Sequence, residues 1–180
     1  IVHNLQKKHI NNREQTLIKL AQEIMYELEN GTDKDRLKYL RQEADNIGAD
    51  LLKYKDQHVS DLESNEQITN EKQIEIDKAR FSRARIKYFA SFAYKKTAPG
   101  AFKKLIKETQ AELEELEFVY EKVAMITYYL GLTLRESANH SQAAQKFLKC
   151  VEPVHSALSG ELRKKAYCFA ADSLIREKKY

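Results

Sequence analysis

Tryptophan is absent from this chain, and the residues that break regular structure are scarce. There are two prolines and five glycines in 180 residues. A β-sandwich or barrel needs turn-formers every ~8–12 residues, so this scarcity argues against one. Two cysteines, Cys150 and Cys168, are too few for a disulfide framework. Both fall on apolar helix faces, so two buried free thiols are expected, in a reducing, cytoplasmic or nuclear setting. No apolar run approaches the ~18 residues of a membrane-spanning helix. The N-terminus lacks the compact apolar stretch of a signal peptide. What is present is charge, at 32% of residues, with ten tyrosines and a net charge of +4. Helix-forming Ala, Leu, Glu, Lys and Gln fill most of the rest, which predicts a nearly all-helical protein.

Apolar spacing divides the chain into rods. A first helix is expected from Asn4 to Asn30, with Leu17, Leu20, Ala21, Ile24, Met25 and Leu28 on its stripe. Gly31 is placed to stop it in a left-handed conformation. Thr32 or Asp33 can cap a second helix carrying Leu37, Leu40, Ala44, Ile47, Leu51 and Leu52. From Gln57 to Asn70 the pattern dissolves, and an exposed loop or irregular helix is expected. Ser60-x-x-Glu63 and Ser64-x-x-Gln67 have capping-box spacing there. A third helix follows from Ile68 to Lys96, ended by Pro99-Gly100. Thr109-x-x-Glu112 predicts a break near 109, and a further helix from Gln110 to Ser137. Gln142 to Leu158 forms another, with Pro153 near its end, and Ser159-Gly160 opens the last, with Leu162, Ala166, Phe169, Ala170, Leu174 and Ile175.

A weak internal period runs through this pattern. Ile47-Gly48, Phe89-Ala90, Leu130-Gly131 and Ala170-Ala171 are each followed three residues later by an apolar residue. Their spacing suggests repeated helix pairs with small residues where the helices cross. The domain plan is a single helical-repeat domain over 1–180: a helix pair in 1–56, a polar loop in 57–70 and repeat-like helices in 71–180. The chain opens on Ile1 rather than Met, and closes on a helix without a partner. It is expected to be a fragment of a larger protein.

The clearest motif lies between Thr127 and Pro153. Thr127-x2-Leu130-Gly131-x2-Leu134 is followed by Ala143-x3-Phe147 and then Pro153. This resembles the tetratricopeptide pattern W-x2-L-G-x2-Y, A-x3-F, Pro. A second partial match is Tyr167-x2-Ala170-Ala171-x2-Leu174, running on to Glu177, Lys178, Lys179 and Tyr180. Thr127 stands in place of the family's Trp, and Leu134 in place of its Tyr. The resemblance implies an all-α, right-handed stack of antiparallel helix pairs, with Gly131 and Ala143 meeting across a helix seam. It also implies a partner groove lined by the first helix of each pair. A fainter resemblance, Tyr120-Glu121-Lys122 followed by Gly131, is to the BRO1 domain, whose upstream strands have no counterpart in this sequence.

Charge is segregated along the chain. Lys78, Arg80, Arg83, Arg85, Lys87, Lys95, Lys96, Lys103, Lys104 and Lys107 fall in a stretch with no acidic residue. Phe81, Tyr88, Phe89, Phe92, Tyr94 and Phe102 are interleaved. Glu108, Glu112, Glu114, Glu115, Glu117 and Glu121 follow. The basic run either complements the acidic one by side-by-side packing or binds a polyanion. The histidines, His3, His9, His58, His140 and His155, lack metal-site spacing and are expected at the surface. No nucleophile has a base at a defined spacing, and no phosphate loop or dinucleotide fingerprint occurs. The expectation is therefore no enzyme, no cofactor and no small-molecule substrate. A scaffold that presents its groove to a partner protein or peptide fits best, with contacts at Arg83, Lys87, Lys122 and Arg135. The alternative is an RNA-binding domain of a ribonucleoprotein using Arg80, Arg83, Lys87, Lys103, Lys104 and Lys107.

Overall fold

A computed structural model describes residues 2–31, 33–64, 69–153 and 158–178, with side chains from residue 8 onward. Thr32, Gln67, Ile68, His155, Lys179, Tyr180 and the His3 side chain, all singled out above, lie outside the described residues. The architecture is all-α, with helices packed in neighbouring pairs. Among the described residues there are seven helices and no strand: α1 (Val2–Asn30), α2 (Lys34–Glu63), α3 (Asn70–Ser91), α4 (Pro99–Val119), α5 (Ala124–Glu136), α6 (His140–Lys149) and α7 (Gly160–Glu177). No helix is long and apolar enough to cross a membrane. The chain divides into two compact units, Ile1–Leu105 and Ile106–Tyr180, with the boundary inside α4.

In the first unit α1 packs on α2, α2 on α3, and α1 also reaches α3. Leu17, Ala21 and Ile24 of α1 are fully buried, as their spacing implied. Gly31 adopts φ +66, and its N–H closes the helix on the Glu27 carbonyl at 2.8 Å. Asp33 caps α2 by accepting from the N–H groups of Asp35 and Arg36, both at 3.0 Å. Ion pairs tie α1 to α2: Arg13 to Asp50 and Lys55 to Glu14, each at 2.6 Å.

The expected polar loop at 57–70 is helix through Glu63. Val59, 1% exposed, continues the stripe of Leu51 eight residues on, so the polar residues around it occupy the outer face. Ser60 caps nothing at a helix start; its carbonyl accepts from the Ser64 N–H at 2.9 Å near the end of α2. Thr69 is the cap of α3, accepting from Lys72 N–H at 3.3 Å. α3 stops at Ser91, earlier than its apolar pattern suggested. Successive i→i−3 bonds from Phe92, Ala93 and Tyr94 carry the chain into a tight turn, with Lys96 at φ 78. Pro99 then opens α4, where a missing N–H costs nothing.

Gly48 and Ala90, two members of the apparent period, pack against each other across α2 and α3. A Cβ on Gly48 would lie 2.8 Å from the Ala90 Cβ. In the first unit these small residues are therefore the two sides of one helix crossing.

The second unit holds the rest of α4 with α5, α6 and α7. α4 runs through Thr109 without the expected break. Thr109 is fully buried between Ile106 and Leu113 on the apolar stripe, so it is a member of the core rather than a cap. The break comes instead at Tyr120–Val123, where Val123 is extended (φ −89, ψ 93). α6 ends at Lys149, short of the expected Leu158 and before Pro153. Ser159 caps α7, accepting from Leu162 N–H at 3.3 Å. α5 is buried at every position from Ile126 to Leu134, more than two full turns, so no side of it is open there.

Candidate interaction surface

The second unit is held around two centres. Phe147 of α6 is fully buried, with Tyr128 at 5.8 Å and Phe169 of α7 at 5.5 Å between ring centroids. Gly131 of α5 faces that ring directly. The small residue and the aromatic of the repeat motif thus form one contact between α5 and α6. Ala143 is fully buried on the same helix as Phe147. The second centre is the nearly buried Glu117 of α4. Its Oε2 bonds to Lys146 Nζ, its Oε1 accepts from the Thr127 hydroxyl at 3.1 Å, and Lys149 Nζ lies 3.8 Å away. Thr127, standing where the repeat pattern has Trp, supplies a hydroxyl that only this carboxylate geometry needs. Glu121 is 3.6 Å from the same Lys149. Part of the acidic run therefore finds its counter-charges on α6.

The residues proposed for partner contact are mostly engaged inside their own unit. Arg83 is half-buried and 3.5 Å from Asp56 of α2. Lys87 and Arg80 are half-buried on α3, whose buried positions spread around much of its circumference. Arg135 lies 4.6 Å over the Phe169 ring and 3.3 Å from Asp172, both on α7. Lys122 is exposed in the turn before α5, and Lys103, Lys104 and Lys107 are exposed on α4. Arg80, Arg83 and Lys87, spaced three and four apart, thus lie on a partly covered helix flank. Of the histidines, His9 is exposed, while His58 is half-buried and stacks on Tyr54 at 6.2 Å. His140 is half-buried at the start of α6.

A pocket of about 340 Å³ in the first unit is lined by Lys38, Arg41, Asp45, Tyr94 and Thr97. The Tyr94 hydroxyl donates to Asp45, and Arg41 donates to the Lys95 carbonyl at 2.9 Å. Burial and the Asp45 contact push the Tyr94 phenol up to about 12, and burial lowers the Arg41 pKa. Among the described residues no group of three or more His, Cys, Asp or Glu converges as a metal set.

Exposed apolar side chains occur singly or in twos elsewhere, as at Tyr26, Tyr39, Phe118 and Val119; the outer face of α7 gathers several on one helix. Ala166, Ala170 and Ser173 point into the unit and are buried. At ~100° per residue, Tyr167, Cys168, Ala171, Leu174 and Ile175 fall together on an adjoining side, with Leu174 beside Ala170 and Cys168 furthest round. All are exposed, Tyr167 at 51%, Leu174 at 46% and Ile175 at 55%. The spacing signalled an apolar helix but not two apolar sides, and so Leu174 and Ile175 were expected in the core. Cys168, expected to be buried, lies on this outer side; Cys150 is buried, and both thiols are free. Lys164 and Lys178 stand at the two ends of the same stripe.

No protein family, characterised protein or solved structure matches this chain in sequence or fold.

Proposed function

We propose that this chain is a non-catalytic interaction module that presents helix faces to a partner protein or peptide. The observation that carries this reading is the exposed stripe of Tyr167, Leu174 and Ile175 on α7. A helix whose apolar residues extend well past its buried side has apolar surface left for a partner. Each of these side chains is about half covered, so full burial contributes on the order of 1 kcal/mol apiece. The tetratricopeptide resemblance of the motif in α5 and α6 supports the same reading, since such units build surfaces. It does not extend to a groove lined by α5, whose central turns are closed.

The test is affinity capture from a cell extract with the wild-type chain and with Leu174→Glu plus Ile175→Glu, both checked for helicity by circular dichroism. A protein retained by the wild type and lost from the variant supports the module. Equal retention by both sinks it. So does RNA retention at low salt that disappears only with Lys103→Glu, Lys104→Glu and Lys107→Glu.

A further inference from the structure

We infer that the partner of the α7 face is an amphipathic helix whose apolar stripe is flanked by Asp or Glu; this rests on the interaction-module reading above. The argument is electrostatic. Arg163, Lys164 and Lys178 border the stripe, and none has an ion pair among the described residues. The acidic groups near it are already neutralised from within the chain. Glu161 binds Lys165 at 2.6 Å, and Asp172 binds Arg176 at 2.9 Å and Arg135 at 3.3 Å. Only Glu177, at the margin, offsets the three open cations. The stripe is apolar along its centre and basic at both ends, so its complement is apolar with acidic ends.

The same charges disfavour a second copy of this chain. Paired antiparallel along α7, Lys164 of one copy meets Lys178 of the other; paired parallel, each lysine meets itself.

Two synthetic helical peptides with one apolar stripe, Glu-flanked or Lys-flanked, test this by maleimide protection at Cys168, which sits within the stripe. The Glu-flanked peptide is expected to protect Cys168 and to bind at least ~10-fold tighter. Lys164→Glu with Lys178→Glu is expected to invert the preference, and Leu174→Glu to abolish protection by both, at unchanged helicity. Equal affinity of the two peptides overturns the acidic partner while leaving the interaction module standing. So does a failure of both peptides where extract capture still depends on Leu174 and Ile175. Protection by anionic vesicles instead of peptide, or a concentration-dependent dimer broken by Leu174→Glu, overturns it as well.

Discussion

Gly131 of α5 lies face to face with Phe147 of α6, so closely that a Cβ at 131 would sit 2.8 Å from Phe147 Cε1 and 3.0 Å from Cδ1. The ring is held by Tyr128 and Phe169 and has little room to turn. Gly131→Ala gains about 1 kcal/mol of helix propensity. Against that stands an overpacking cost of roughly 1–3 kcal/mol. Net destabilisation is expected, read as a lower urea midpoint at constant slope. Adding Phe147→Leu to Gly131→Ala is expected to cost less than the sum of the two single changes. Additive losses would show that the two positions are not in contact.

Glu117 joins three helices through one carboxylate. Glu117→Gln keeps the shape and removes the charge, which leaves Lys146 and Lys149 facing a neutral amide. A loss of about 1–3 kcal/mol is expected. Thr127→Val on top of it is expected to add little, because its hydroxyl has already lost a charged acceptor. A double-mutant cycle in denaturant with no coupling between 117 and 127 would refute the arrangement.

The two thiols differ in reactivity because they differ in burial. Cys150 is 2% exposed, its Sγ donates to the Phe147 carbonyl at 3.2 Å, and burial pushes its pKa to about 11. Cys168 is exposed. The thiolate is the nucleophile. Under native conditions near neutral pH, maleimide is expected to modify one thiol, and peptide mapping to place it at Cys168. The second thiol reacts only in denaturant. Modification of Cys150 in the folded protein would contradict its placement.

Tyr94 sets an alkaline limit. Its folded pKa of about 12 lies above the ordinary value of 10.0, because burial and Asp45 both disfavour the phenolate. A raised folded pKa contributes stability that is complete below pH ~10 and is lost as pH rises towards about 12. Denaturant midpoints are expected to fall across that window. Tyr94→Phe should lessen the fall while lowering the midpoint at neutral pH; the remainder comes from Tyr128, whose phenol burial also raises. A wild-type midpoint that is flat from pH 10 to 12 would show that the phenol titrates freely.

The helices themselves were legible because their stripes are long. Leu17, Ala21 and Ile24, or Leu113 and Leu116, recur at helical spacing with few breakers between them. Caps at Asp33 and Ser159 and the left-handed Gly31 were legible for the same local reason: one side chain and its own backbone decide them. The break between α4 and α5 was not. Tyr120 to Val123 contains neither Gly nor Pro, and Thr109 carries a cap's spacing but is buried instead.

Local chemistry, then, determined the fold class and most helix starts, whereas the partner of Gly131, expected to be Ala143, is the Phe147 ring. Tertiary structure decided which apolar positions are core and which are surface. Tyr167, Leu174 and Ile175 are larger and more apolar than the Ala166, Ala170 and Ser173 that face inward, and only the neighbours that α7 acquires put the small residues inside and the large ones outside. The same holds for charge. Arg83, Arg135 and Lys164 are equivalent cations along the chain, but Asp56 and Asp172 engage the first two, and among the described residues no carboxylate pairs with Lys164. Periodicity is a property of one helix; burial and pairing are properties of what packs against it.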